Sequence, residues 1–324
     1  MVIFDALISF REMLVARLMR VFDEPFSSLA AALLLGVRSD IPYDIKEAFR
    51  QTGLTHVLAL SGFNISILIN SIARMCGFLP RRLRGVVTIG IITLFTIMVG
   101  AQASIVRAAI MGSISVLAEI IGRPYDSKRA LFVSAAVMVI IEPSILTDIG
   151  FQLSFAATAG IIFHAKKCEK WMVFLPEKFG LRGNFSTTMA AYVWTLPVIM
   201  WHFDGISLIS PLVNLVVLPM IPYLMLGSFC SLIFGFLTAL PTMLLFKLML
   251  FVIMGTAQTG VGYVIIQGCL HSLFMELRWG SFSPWELLFL CIYFLWCRLC
   301  PAQCVLQKKG LRQLSSKTVS MCMI

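Results

Sequence analysis

Long apolar runs follow one another from residue 55 to residue 299, broken only by short polar links. A hydrocarbon core about 30 Å thick takes about 20 helical residues to cross, so a chain of this length has room for about eight to ten crossings. With no water in the bilayer to satisfy backbone N–H and C=O groups, a crossing segment must be a helix or part of a closed barrel. The runs are too long for barrel strands and lack their alternation. Composition agrees: 59% of residues are apolar and 13% charged, where soluble domains sit nearer half and a quarter. The fold class expected is all-α, a polytopic transmembrane helical bundle.

The net charge of +10 would point to nucleic acid in a soluble protein. In a membrane protein Lys and Arg also gather in cytoplasmic loops and set orientation. Arg81, Arg82 and Arg84 follow a first span near 55–79, Arg123, Lys128 and Arg129 follow the third, and Lys166, Lys167, Lys170, Lys178 and Arg182 follow the fifth. The links Gly100–Ser104 and Thr147–Gly150 hold no basic residue. Every second loop is therefore basic, which places 80–84, 123–129 and 166–184 in the cytoplasm. Later spans are expected at 185–203, 206–240, 243–267 and 284–299. As one helix, 206–240 would run about 52 Å; Pro211, Pro219 and Pro222 point to a broken or re-entrant segment.

Residues 1–50 are expected to be extracytoplasmic, with Arg11, Glu12, Arg17, Arg20, Asp23 and Glu24 among apolar neighbours, as suits an amphipathic helix lying along the interface. Asp5 ahead of the apolar stretch argues against a signal peptide. Residues 51–304 form the transmembrane domain and 305–324 a basic cytoplasmic tail. The nine cysteines are expected to pack as small hydrophobes. The spacing of Cys297, Cys300 and Cys304 suits a metal, but no His or further Cys pair completes a site, so neither metal nor cofactor is expected.

Polar groups in hydrocarbon tend to face a cavity, a pathway or a partner. The first span holds His56, Ser61, Asn64, Ser66, Asn70, Ser71 and Arg74, polar on two faces, with a helix break expected at Ser61–Gly62. Arg107 lies one turn inside the third span; Asp148, Gln152, His202 and Asp204 lie at the same membrane level. Arg107 is expected either to snorkel to the interface or to pair with Asp148 across two helices.

Nothing here supports an enzyme. Leu60-Ser61-Gly62 lacks the leading glycine of a nucleophile elbow. Zinc-protease, phosphate-loop and dinucleotide motifs are absent, and the four histidines are far apart. His56 and Ser61 point in different directions on a regular helix.

Several segments together resemble a known family. They are Leu33-Leu34-Leu35-Gly36-Val37-Arg38-Ser39-Asp40-Ile41-Pro42, then 49–64 with Ala59-Leu60-Ser61-Gly62-Phe63-Asn64, then Ser104-Ile105-Val106-Arg107-Ala108-Ala109 and Gly122-Arg123-Pro124. Asp148-Ile149-Gly150-Phe151-Gln152-Leu153-Ser154-Phe155 and Pro211-Leu212-Val213-Asn214 with Pro219 complete the set. In this order they resemble the membrane domain of the ComEC family, competence proteins that pass DNA into bacteria in natural transformation. Many family members carry His where this chain has Asn64.

The resemblance implies a channel in the bacterial inner (plasma) membrane that passes single-stranded DNA to the cytoplasm. An extracytoplasmic DNA receptor and a cytoplasmic ATP-driven motor are its implied partners. His56, Ser61, Asn64, Arg107, Asp148, Gln152 and Asn214 are its expected polar cluster. Larger members carry an OB-like domain and a metallo-β-lactamase-like domain; this sequence has no His-x-His-x-Asp-His, so nuclease activity is expected to be absent or supplied by another chain. The alternative is a secondary transporter of a small anion or lipid-linked metabolite, which broken helices favour and the lack of a visible inverted repeat disfavours.

Overall fold

The computed structural model describes residues 2–58, 62–173, 177, 180–203, 205–259 and 263–265. Ser61, Lys178, Asp204, the expected span at 284–299, the cysteines Cys297, Cys300 and Cys304, and the tail 305–324 lie outside the described residues.

The described chain is a helical bundle. It opens with α1 (Val2–Val21) and α2 (Phe26–Leu35), followed by α3 (Tyr43–Gln51), the single turn α4 (Thr55–Leu58), α5 (Gly62–Met75), α6 (Arg81–Met98) and α7 (Ala103–Ile121). After these come α8 (Ser127–Ile141), a 3₁₀ turn at Pro143–Thr147, α9 (Ile149–Trp171) and α10 (Leu181–His202). A short strand β1 (Gly205–Ser207) leads into α11 (Ser210–Val217), a 3₁₀ turn at Leu218–Met220, α12 (Ile221–Phe234) and α13 (Phe236–Gln258). A second strand, β2 (Tyr263–Ile265), runs antiparallel to β1 with Ile206 opposite Val264.

The packed core gathers around α2. Its sequence FSSLAAALLL is apolar on every side, and a helix of that kind has to be buried all round. Leu29, Ala30, Ala32 and Leu33 are sealed from the surface. Around them pack Leu18 and Phe22 from the end of α1, Phe49 of α3, Ile65 of α5, Ile92 of α6, Ile105 of α7, and Leu224, Phe246 and Ile253 of α12 and α13. Phe22 meets Phe246 edge-on at 6.3 Å. The N-terminal region expected along the interface thus divides in two: α1 keeps its polar side exposed, while α2 shares the core of the helices that follow residue 51. At the first turn of α2 the Glu24 carboxylate accepts bonds from Ser27 and Ser28 at 2.5 and 2.6 Å, negative charge at the positive end of a helix.

The hairpin α9–α10 closes on glycine. A Cβ on Gly160 would stand 2.5 Å from the Ala190 carbonyl and 2.8 Å from Trp194 Cγ; the bare backbone lets two membrane helices touch.

Among the described residues, three helices are long and apolar enough to cross a membrane: Ala103–Ile121, the continuous Ser210–Phe234, and Phe236–Gln258. Among the others, α5 and α8 have 14 and 15 residues, and α6, α9 and α10 begin or end on charged groups. Along α13, Leu237, Leu240, Leu244, Leu248 and Phe251 stand exposed on the face opposite Phe246, Met249 and Ile253. An apolar surface of that extent is a lipid-facing surface, and the protein is a membrane protein.

The segment 206–240 is not one overlong crossing. Pro211 and Pro222 occupy first-turn positions, and Pro219 sits in the 3₁₀ turn, where a missing N–H does no harm. The chain therefore stays helical from 210 to 234. The break comes at Gly235, whose φ of 65° and ψ of −136° belong to a region essentially reserved for glycine.

Helix direction sorts the loops. Arg84 bridges to Glu119 at 2.7 Å, joining the start of α6 to the end of α7. The Lys128 ammonium lies 5.3 Å from the Phe163 ring centre, joining the start of α8 to the C-terminal half of α9. The basic loops thus share one end of the bundle, and the starts of α5, α7 and α9 lie at the other.

Candidate functional site

At that opposite end α7 begins at Ala103, with Gln102 at the N-cap, and carries Arg107 after one turn. Arg107 is 7% exposed. Its Nε donates to Ser154 Oγ at 2.9 Å, and its Nη1 to Thr158 Oγ1 and to Met111 Sδ. Ser154 and Thr158 are four residues apart on α9, so both hydroxyls face α7. The Phe155 ring centre lies 5.8 Å from the guanidinium carbon, within cation–π range. The expected ion pair with Asp148 does not form. Asp148 caps α9, its carboxylate accepting the Phe151 N–H at 2.7 Å, because a helix N-terminus supplies unpaired donors closer at hand. Snorkelling does not occur either, since two hydroxyls hold the side chain inside.

Ser154 and Thr158 went unnoticed as site residues in the sequence. The signal that finds them is their i, i+4 spacing, one turn beyond the Asp148 cap.

The remaining candidates fall into separate places. Gln152 donates to the Leu146 carbonyl at 2.9 Å and braces the turn before α9. Asn64, 3% exposed, donates to the Leu33 carbonyl at 3.3 Å. That carbonyl lies in the last turn of α2, where no backbone partner exists within the helix. His56 is exposed, with its Nδ1 3.1 Å from the Gly53 carbonyl. Ser61 lies outside the described residues.

Asn214 belongs to another buried group. Its amide nitrogen donates to Ser210 Oγ at 3.2 Å, and Ser210 in turn reaches the Gly53 carbonyl at 3.4 Å. Gly53 has φ +71°, and a Cβ there would stand 2.6 Å from Ser210 Cβ. The expected single cluster is thus three sites: Arg107 between α7 and α9, Asn64 under α2, and Asn214 under the turn at Gly53.

Two further arginines stand at this end. Arg38 Nη2 donates to the Gln102 side chain at 3.3 Å, and half burial lowers its pKa from the usual range. Arg11 Nη1 donates to the Met98 carbonyl at 3.4 Å. Arg11, Arg38 and Arg107 are held by neutral acceptors, and none has a carboxylate partner among the described residues. Positive charge without local compensation projects a field toward anions. Among the described residues no group of His, Cys, Asp and Glu is arranged to hold a metal ion.

A family model described as Competence protein matches residues 33–303. Among curated proteins, ComE operon protein 3 of Bacillus subtilis (strain 168) is 26% identical over 195 residues, 60% of this chain and 24% of that protein. The uncharacterized protein YcaI of Escherichia coli (strain K12) is 25% identical over 305 residues, 87% of this chain and 38% of that protein. Competence protein ComA of Neisseria gonorrhoeae is 26% identical over 215 residues, 62% of this chain and 30% of that protein. The chain spans less than half the length of each of these relatives. No solved structure matches it. A match across that much of the sequence, by a model that takes in Arg107, the Asp148 cap and Asn214, settles the family: this chain belongs to the Competence protein family.

Proposed function

We propose that this chain acts in DNA uptake during natural transformation, as a multi-pass protein of the bacterial inner membrane that conducts single-stranded DNA to the cytoplasm. The observation that carries the reading is the set of arginines without carboxylate partners among the described residues, Arg11, Arg38 and Arg107, at the end opposite the basic loops. Basic loops mark the cytoplasmic end, so these arginines face the side from which DNA arrives. A strand moving through needs attraction along its phosphates and tolerance of any base. Arginines held by neutral groups keep their field available for phosphates. The names of ComE operon protein 3 and competence protein ComA support the same role. Conduction needs no covalent chemistry from this chain, and we infer that it is not an enzyme; the receptor, the motor and any nuclease are separate partners in this reading.

The test follows fluorescent double-stranded DNA in competent cells of the source organism, with and without the gene. Deletion is expected to leave DNA bound outside the inner membrane and to abolish its entry into the cytoplasm. Equal entry in both strains would overturn the proposal.

A further inference from the structure

The turn that joins α5 to α6 sets apolar and cationic side chains side by side at the basic end of the bundle. Met75 is 69% exposed and Phe78 83%, with Arg74, Arg81 and Arg82 exposed around them. At the same end Arg84, Arg129 and Arg182 each pair with a carboxylate. Arg74, Arg81 and Arg82 have no such partner among the described residues. In water, bare Phe and Met side chains are costly. At the boundary of a bilayer the apolar chains enter the acyl region while the basic groups stay with the headgroups.

Beside this turn a groove opens to the surface where α5, α6 and α7 converge. Arg81 and Arg84 line it from α6, Ile69 from α5, and Val116, Glu119 and Ile120 from α7. Glycines hold the three helices close: a Cβ on Gly85 would collide with Ile120 Cδ1, and one on Gly112 would stand 2.5 Å from Ile69 Cδ1. Arg84 is neutralised by Glu119 at 2.7 Å, which leaves Arg81 as the net charge of the groove. The rest of the wall, Ile69, Val116 and Ile120, is apolar. A free guanidinium beside apolar walls fits an anion joined to hydrocarbon, and basic pockets between membrane helices are where phospholipid headgroups bind.

We propose that this groove binds an anionic phospholipid, with the lipid phosphate against Arg81 and an acyl chain along Ile69, Val116 and Ile120. The proposal rests on the reading above only in taking the basic end as cytoplasmic, which makes the occupant a lipid of the inner leaflet. Arg74 and Arg82 add attraction at a distance, and Met75 and Phe78 hold the turn at the depth of the headgroups.

The test uses the purified full chain in a neutral detergent, with its melting temperature followed against dioleoylphosphatidylglycerol and against dioleoylphosphatidylcholine, which share their chains and differ in headgroup. Wild type is expected to show a saturable rise at lower concentrations of the anionic lipid. In Arg81→Gln the half-saturating concentration of that lipid is expected to rise about fivefold, the weight of one basic residue at an anionic surface, with the response to phosphatidylcholine unchanged. Lys170→Gln removes the same charge from the end of α9, outside the groove, and is expected to behave as wild type. Equal response of wild type to the two lipids, which needs no variant to read, overturns the site. Equal weakening in Arg81→Gln and Lys170→Gln also overturns it, since surface charge at large is then the cause. Two further arms replace lipid with sodium phosphate and with a short oligodeoxythymidine, against sodium chloride at matched ionic strength. Neither carries hydrocarbon for the apolar wall, so neither is expected to protect through Arg81. Protection by either that matches the anionic lipid and is lost in Arg81→Gln overturns the lipid assignment in favour of that anion. Failure of the lipid site leaves strand conduction standing, because the gene-deletion experiment tests that reading separately.

Discussion

Asn64 and Gly53 show how single residues hold this bundle at its polar end. Asn64 supplies a donor to a carbonyl in the last turn of α2, deep in the core. Asn64→Ala leaves that carbonyl buried and short of a partner, which costs about 1–3 kcal/mol; a melting curve of the variant against wild type reads it directly. At Gly53 two penalties coincide, a left-handed backbone at φ +71° and a clash, since an added Cβ would stand only 2.6 Å from Ser210 Cβ. Gly53→Ala is expected to destabilise by about 1–3 kcal/mol. Adding Ser210→Gly relieves the overlap but keeps the backbone strain and loses the Ser210 bonds to Gly53 and Asn214. The double variant should therefore recover less than the overlap part relative to Gly53→Ala, which denaturant titration of both single variants and the double variant reads. Asn64 was legible as a polar residue within an apolar span. Its partner was not, because nothing in the local pattern tells which carbonyl an amide will find thirty-one residues away.

Among the elements, the passage from α12 to α13 turns on Gly235. A Cβ there would meet nothing within 4 Å, so Gly235→Ala adds no clash and isolates the backbone term. Its φ of 65° and ψ of −136° make that term about 1–3 kcal/mol, or else the two helices realign. Paired cysteines on α12 and α13 in the variant, tested for crosslinking against the same pair in wild type, distinguish loss of stability from loss of the turn. The sequence offered three prolines as the visible breakers in this stretch, yet each sits in a first turn or a 3₁₀ turn and the helix runs through. Proline interrupts a helix only where the N–H it lacks would have been bonded. The glycine that does interrupt it was silent, because glycine within a membrane helix is ordinary.

For the molecule as a whole, Arg50 ties the surface helix α3 to the strand after α13. It pairs with Glu47 at 2.6 Å, donates to the Tyr263 hydroxyl and lies 4.9 Å from the centre of that ring. The Arg50 hydrogen bond holds the Glu47 carboxyl below its ordinary range. A depressed carboxyl contributes stability that is present above its unfolded pKa and disappears as pH falls through the folded value. Stability is therefore expected to drop from about pH 4 downward, and Glu47→Gln should flatten that part of a melting-temperature profile while leaving neutral pH little changed, as exposed pairs contribute little.

The sequence by itself determined that this is an all-helical membrane protein with a basic end. Hydropathy over a span and charge in a loop are sums over neighbours in the chain, and lipid reads them whatever the packing. Only the tertiary structure decided that α2 lies in the core, that the helix breaks at Gly235, and that Arg107 is held by Ser154 and Thr158 while Asp148 caps its own helix. Those choices depend on which faces of distant helices meet, and in hydrocarbon a buried polar group takes whichever partner the packing brings within reach.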